Sequence, residues 1–266
     1  MSDRVTLTVQ DHVATLTLSR PDKMNALDAA MFEGIIAAVD SIRTDTSVRA
    51  VVLAGAGESF CSGLDVASFA ADGTGALLER MQPAEGSDAN FYQQPALGLY
   101  RLPVPVIAAL QGVVFGGGLQ IAMGADIRLA APGTRLSIME VKWGIVPDMG
   151  MTVTARNVVP ADWLKRLALT GDIVTAEAAI DFGLITEVAE DPLAEAQRIA
   201  VAIAGRSPDA VTATKGLFNR ALGVDAAVAL RDEAETQLTV LGKENQMEAV
   251  AANFAKRAPN FQPRSG

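Results

Sequence analysis

Twenty consecutive residues, Val106 to Ala125, carry no charge. A run of that length spans a bilayer if it forms one apolar helix; in a soluble chain it has to lie in the core. What interrupts the run decides between these. Gln111, Gly112, Gly116, Gly117, Gly118, Gln120 and Gly124 punctuate it, and Pro103 and Pro105 precede it. That pattern predicts a short strand, a tight glycine turn and a buried helix, with no membrane insertion.

A chain that buries such a segment needs a large core, and half of these 266 residues are hydrophobic. The length fits one large domain, or one domain with an appendage. Val5, Leu7 and Val9 alternate with polar neighbours, as do Ala14, Leu16 and Leu18, which predicts a hairpin over residues 4–18 turning at Asp11 and His12. Asp28 is placed to cap a helix whose apolar face is Met31, Phe32, Ile35, Ile36, Val39 and Ile42. Residues 49–54, 106–110 and 126–130 read as further strands. Strands alternating with helices imply an α/β architecture with much parallel pairing. Residues 70–90, with Asp72–Gly75 and Pro83–Gly86, predict a mobile surface loop. From about Pro192 the pattern is helical only, over 192–205, 208–222, 225–241 and 244–257. The division is therefore a core over 1–191 and a helical region over 192–266. That region is richer in alanine and apolar residues than one covering layer needs, which predicts a trimer or hexamer.

Composition removes several function classes. The formal net charge is -9, opposite in sign to a nucleic-acid-binding surface. One cysteine, Cys61, gives neither an intramolecular disulfide nor a cysteine-built metal site, and one histidine, His12, gives no histidine-pair metal site. The N-terminal residues alternate polar and apolar with no apolar stretch of a leader, so the expected location is cytoplasmic.

Two glycine-bearing junctions carry the chemistry. One is Ser59–Asp65, with Gly63 and Leu64; the other is Val114–Gln120, with Gly116, Gly117 and Gly118. Neither fits a dinucleotide fingerprint or a Walker A loop. Read alone, a glycine run of this kind is most often just a tight turn. Alternatively, free backbone N–H groups from both junctions would hold one oxyanion between them, each donor worth about 3 kcal/mol to a transition state.

Taken with Leu136–Gly150, these junctions closely resemble the crotonase (enoyl-CoA hydratase/isomerase) superfamily. The likeness runs through Ser19–Leu27, Ser62–Asp65, the glycine turn, Ala125–Arg128, Glu140–Gly150, Thr175–Ala179, Gly183–Ile185 and Lys215. It implies a ββα spiral core, a helical C-terminal region that makes trimers or pairs of trimers, and an acyl-CoA thioester as substrate, with coenzyme A part of the substrate and no separate cofactor. It assigns the oxyanion hole to the Leu64 and Gly117 amides. It lays the coenzyme arm along Lys23, Asn25, Ala26 and Leu27, beside Gly63 and Asp65, with Gly116 in the same turn. Phe254, Lys256 and Arg257 resemble phosphate contacts that an adjacent subunit can supply.

The acid–base residues distinguish reactions within the resemblance. Hydratases of this kind use two glutamates; here the later one is Glu140, but the earlier position is Gln120, which orients groups without exchanging protons. A second carboxylate stands at Asp148, as in dienoyl-CoA isomerases, although those usually carry Asp where this chain has Gln120. Asp148 also reads as a helix N-cap, with a helix from Met149. The favoured expectation is a double-bond isomerase. A one-glutamate hydratase and a catalytically weak acyl-CoA-binding protein are the alternatives. Among the remaining residues, Cys61 reads as a small buried side chain, His12 as a solvated turn, Asp65 as a helix cap, Asp126 as a partner for a strand start, and Trp143 as core or pocket wall.

Overall fold

A computed structural model describes residues 3–83 and 86–265. The chain opens with an antiparallel hairpin, β1 (Val5–Gln10) and β2 (Val13–Leu18), turning at Asp11 and His12. Helix α1 (Ala29–Thr44) follows, capped by Asp28, whose carboxylate accepts the Met31 N–H at 2.9 Å. Next come β3 (Ala50–Gly55), α2 (Val66–Arg80), α3 (Gln94–Tyr100), β4 (Val106–Leu110), β5 (Val113–Phe115) and α4 (Gly117–Ala122). The charge-free run therefore becomes strand, strand and short helix. The middle of the chain holds β6 (Ile127–Ala130), β7 (Arg135–Ser137), α5 (Met151–Thr154), α6 (Ala161–Thr170), β8 (Val174–Thr175), α7 (Ala176–Ile180) and β9 (Glu187–Val188). It closes with α8 (Pro192–Ala204), α9 (Pro208–Ala221), α10 (Ala226–Val240) and α11 (Glu244–Ala255).

The main sheet runs β1-β2-β3-β4-β6-β9, parallel from β2 onward; a smaller sheet orders β5-β7-β8. The central strands β3 and β4 are buried on both faces, so they are continuously apolar. On β3, Val51 and Leu53 face the core under α1, while Ala50 and Val52 face α8. Helix α8 approaches closely because it presents Ala196, Ala200 and Ala204 to that second face. Thus the first helix of the C-terminal region forms a layer of the sheet core. In α9, Lys215 donates to Asp126 Oδ2 at 2.8 Å and to the Val104 carbonyl at 3.0 Å. The same Asp126 oxygen takes the Val106 N–H at 2.8 Å, at the start of β4. Among the described residues no helix is long and apolar enough to cross a membrane.

One expectation fails. Residues 66–80 form a helix where a loop was expected from 70, and it kinks at Gly73, whose φ is 77°. Phe69 and Leu77 tie it to the core, with Phe69 edge-on to Phe32 and tilted against Tyr92. Tertiary contacts outweigh the poor helix propensity of two glycines. Ala84 and Glu85 of the expected loop lie outside the described residues.

Candidate active site

The two glycine junctions meet. An isolated parallel bridge joins Cys61 to Val114, and the Phe115 N–H donates to the Cys61 carbonyl at 3.0 Å. Gly63 adopts φ +94°, and a Cβ there would lie 3.0 Å from the Phe115 carbonyl oxygen and 3.8 Å from the Gly117 nitrogen. Only glycine fits that approach. Gly118 packs as tightly, since an added Cβ would fall 2.7 Å from the Cys61 Cβ. Gly116 donates its N–H to the Ser137 carbonyl at 3.0 Å. The Leu64 and Gly117 N–H groups have no acceptor among the described residues, and both residues line one cavity.

Residues 23–27 are stitched to the first junction. Ser62 donates to the Met24 carbonyl at 2.9 Å, Leu27 to the Gly63 carbonyl at 2.8 Å, and Asp65 to the Leu27 carbonyl at 2.9 Å. Asn25 is fully buried with φ +53°, a conformation asparagine tolerates. Its carboxamide accepts the Arg20 N–H and donates to the Ala56 and Ser59 carbonyls, so it shapes the turn from within. Ala26 is buried and Lys23 is exposed on a short 3-10 turn, Pro21–Lys23. Asp65 caps α2 and pairs with Arg20 at 2.8 Å; that guanidinium holds its carboxyl below the ordinary aspartate range.

The cavity has a volume of about 650 Å³. Its far wall is a second 3-10 turn, Glu140–Trp143, and the segment through Met149. Glu140 is 6% exposed; its Oε1 accepts from the Gln120 side-chain nitrogen at 2.6 Å, and its Oε2 is buried with no hydrogen-bond partner. Burial pushes its carboxyl above the ordinary range; nearby backbone N–H groups and Gln120 oppose this, while the charge of Asp148 adds to it. Asp148 is half-buried on the same cavity, and burial raises it too, opposed only by its own backbone N–H. It caps no helix: α5 starts at Met151 behind Gly150, so the helix expected from Met149 begins later. The cavity is also lined by Val66, Phe69, Leu77, Tyr92 and Met149, and among the described residues no cation lines it.

The other residues singled out from sequence fall away from this chemistry. Cys61 is buried with its thiol pushed up to about 12, which leaves it inert. His12 is exposed in its hairpin turn, with Nδ1 2.9 Å from the Ser47 carbonyl oxygen. Trp143 is 62% exposed and belongs to the cavity mouth beside Ile145 and Val146. Phe254 and Arg257 sit on and just after α11, where neither lines the cavity; Phe254 is 87% exposed and Arg257 pairs with Glu248. Sequence reasoning missed the back wall, Phe69, Leu77 and Tyr92. The aromatic residues spaced between 69 and 92 were the available signal.

Fold and site together define an α/β protein that converges two free amides and two raised carboxylates on one apolar cavity. The sequence model of the enoyl-CoA hydratase/isomerase family matches residues 8–264. The chain is 32% identical to a short-chain-enoyl-CoA hydratase from Clostridium acetobutylicum, over 96% of both chains. It is also 32% identical to a 1,2-epoxyphenylacetyl-CoA isomerase from Escherichia coli, over 95% of this chain and 96% of that one. A crystal structure of an enoyl-CoA hydratase from Mycobacterium tuberculosis superposes with a TM-score of 0.86 at 29% identity, covering 98% of this chain and 99% of that one. The chain belongs to the enoyl-CoA hydratase/isomerase family, has its crotonase-type fold, and is an enzyme of that family.

Proposed function

We propose that this enzyme moves a carbon–carbon double bond along the acyl chain of an enoyl- or dienoyl-CoA through a thioester enolate. The observation that carries this reading is the pair Glu140 and Asp148 on one apolar cavity, with the non-titrating Gln120 of α4 hydrogen-bonded to Glu140. The thioester oxygen accepts the Leu64 and Gly117 N–H groups, which acidifies the neighbouring C–H bonds. One ionised carboxylate takes a proton from carbon while the C–H electron pair shifts into the chain and charge collects on the thioester oxygen. A protonated carboxyl then returns a proton at another carbon as that charge flows back. No atom is gained or lost, so the product is an isomer. Such a shuttle needs one charged and one neutral carboxyl together; burial raises both, and the Asp148 charge further opposes ionisation of Glu140, which favours that state over the doubly ionised one.

In this reading the coenzyme arm lies between Lys23–Leu27 and Gly63–Asp65. Assembly into a trimer or hexamer is part of it, supported by Phe218, Leu230, Leu238 and Phe254, all apolar and exposed on α9 to α11. Phe254 and Arg257 would then reach a neighbour's coenzyme. Light scattering that finds only monomer at micromolar concentration removes the assembly. A second reading, water addition to a 2-enoyl-CoA by Glu140, draws support from the hydratase similarity. Absorbance assays with a 3,5-dienoyl-CoA and a 2-enoyl-CoA separate the two. The isomerase reading expects dienoyl turnover that Asp148→Asn lowers at least about a hundredfold, with acyl-CoA binding much less affected. Hydration that proceeds at the parent rate in Asp148→Asn, without dienoyl turnover, establishes the second reading instead.

A further inference from the structure

Gln120 is 1% exposed and faces the cavity from α4, yet it can neither give up nor take a proton in the proposed reaction. Its oxygen accepts the Met149 N–H at 2.8 Å and its nitrogen donates to Glu140 Oε1 at 2.6 Å. The Met149 N–H fixes the sense of the carboxamide: a donor must meet the oxygen, so the NH2 end is turned to Glu140. Oε1 is thereby held to α4, while Oε2 is buried without a partner. The same two bonds tie the turn that carries Glu140 to the segment that carries Asp148.

We propose that Gln120 is a positioning residue that anchors Glu140 through Oε1 and fixes the Asp148–Met149 segment relative to it. This deepens the isomerase reading and rests on Glu140 and Asp148 forming its proton shuttle. A carboxylate at position 120 would still accept the Met149 N–H, but it could donate to Glu140 only by holding a proton. Gln120→Glu therefore turns an anchor into a competitor for the proton. The amide donor also favours the ionised form of Glu140, against the burial and the Asp148 charge that disfavour it.

The test is the pH profile of Gln120→Met, which keeps length and apolar packing but removes both hydrogen bonds. The CoA ester used is whichever of the two the parent turns over. Losing a hydrogen bond to a charged group costs about 1.5–3 kcal/mol, so kcat should fall about ten- to a hundredfold while KM changes less than about threefold. The acid limb of kcat, which reports Glu140 ionisation, should move to higher pH because the carboxylate has lost its donor. An unmoved acid limb, or kcat and KM drifting together without a limb shift, reduces Gln120 to packing and overturns the proposal. Carbon-13 NMR of labelled glutamate carboxyls reads the same upward shift without turnover. If Gln120→Met fails to fold, Gln120→Glu takes its place, because it keeps the Met149 bond and loses only the unconditional donor. Its acid limb should also rise, and an unmoved limb overturns the proposal equally. Glu140→Gln is the control: retained turnover there defeats the isomerase reading itself, whereas a dead Glu140→Gln beside an unmoved limb defeats only the role of Gln120.

Discussion

Acidic residues on the two sides of the Gly63–Leu64 junction live in opposite environments. On one side Arg20 reaches Asp65 at 2.8 Å and Asp28 at 3.5 Å, Arg4 holds Asp28 at 2.9 Å, and the Asp65 carboxyl is held low. On the other side Glu140 and Asp148 share a cavity that no cation lines among the described residues, one Glu140 oxygen has no partner, and both carboxyls are pushed up. Charge that is neutralised and hydrogen-bonded fixes a turn. Charge left half-satisfied in an apolar wall is held ready to change protonation. In the proposed reaction the same residue types therefore do architectural work on one side and chemistry on the other.

The sharpest way to break this contrast is Glu140→Gln. It should lower turnover about 100- to 10,000-fold, the range for a general acid or base, with acyl-CoA affinity nearly unchanged in a binding titration. Next is Arg20→Met, which leaves two partly buried carboxylates short of a cation and should cost about 3 kcal/mol of stability by urea unfolding. The sign with pH is fixed by Asp65: its folded carboxyl is held low, so its contribution is complete above the ordinary aspartate range and lost as pH falls through the folded value. The gap between parent and Arg20→Met should therefore narrow in acid. A smaller effect is expected from Gly118→Ala, whose methyl meets the Cys61 Cβ and carbonyl oxygen at 2.7 Å. Overpacking there should cost about 1–3 kcal/mol. It should also reduce turnover by spreading the two junctions; full activity would mean that their spacing is not critical.

Much of the paired side was legible in the sequence, and much of the chemical side was not. Asp28 announces α1 because a cap needs only its own segment, and it accepts the Met31 N–H three residues on. The buried strands β3 and β4 were legible because both of their faces are covered. Helix α2 was not, since Gly73 and Gly75 read as a turn until Phe69 and Leu77 meet a core contributed from elsewhere. Nor was the lip of the cavity, where Trp143, Ile145 and Val146 are apolar, exposed and without periodicity. Asp148 also read as a helix cap, which only the start of α5 at Met151 removes. The bond from the Met149 N–H to Gln120 could not be foreseen, because one partner is backbone and carries no sequence signal.

The smallest expected effect probes the contrast from the stability side. A carboxyl raised by burial binds its proton more tightly folded than unfolded, so between its ordinary and its raised value the native state holds more protons. Stability then falls as pH rises through that window and levels off above the raised value. Glu140→Gln removes the buried charge and retains a polar group of the same size, so at pH 7 the variant should be the more stable protein. Single stabilising substitutions commonly yield about 0.5–2 kcal/mol, the size expected here. The advantage should vanish below the ordinary glutamate range, where the parent is protonated in both states. Parallel melts of parent and variant at neutral and acid pH read the difference directly. A variant less stable than its parent at pH 7 would mean that the ionised Glu140 is satisfied as well as Asp65, and the two sides of the junction would no longer differ in kind.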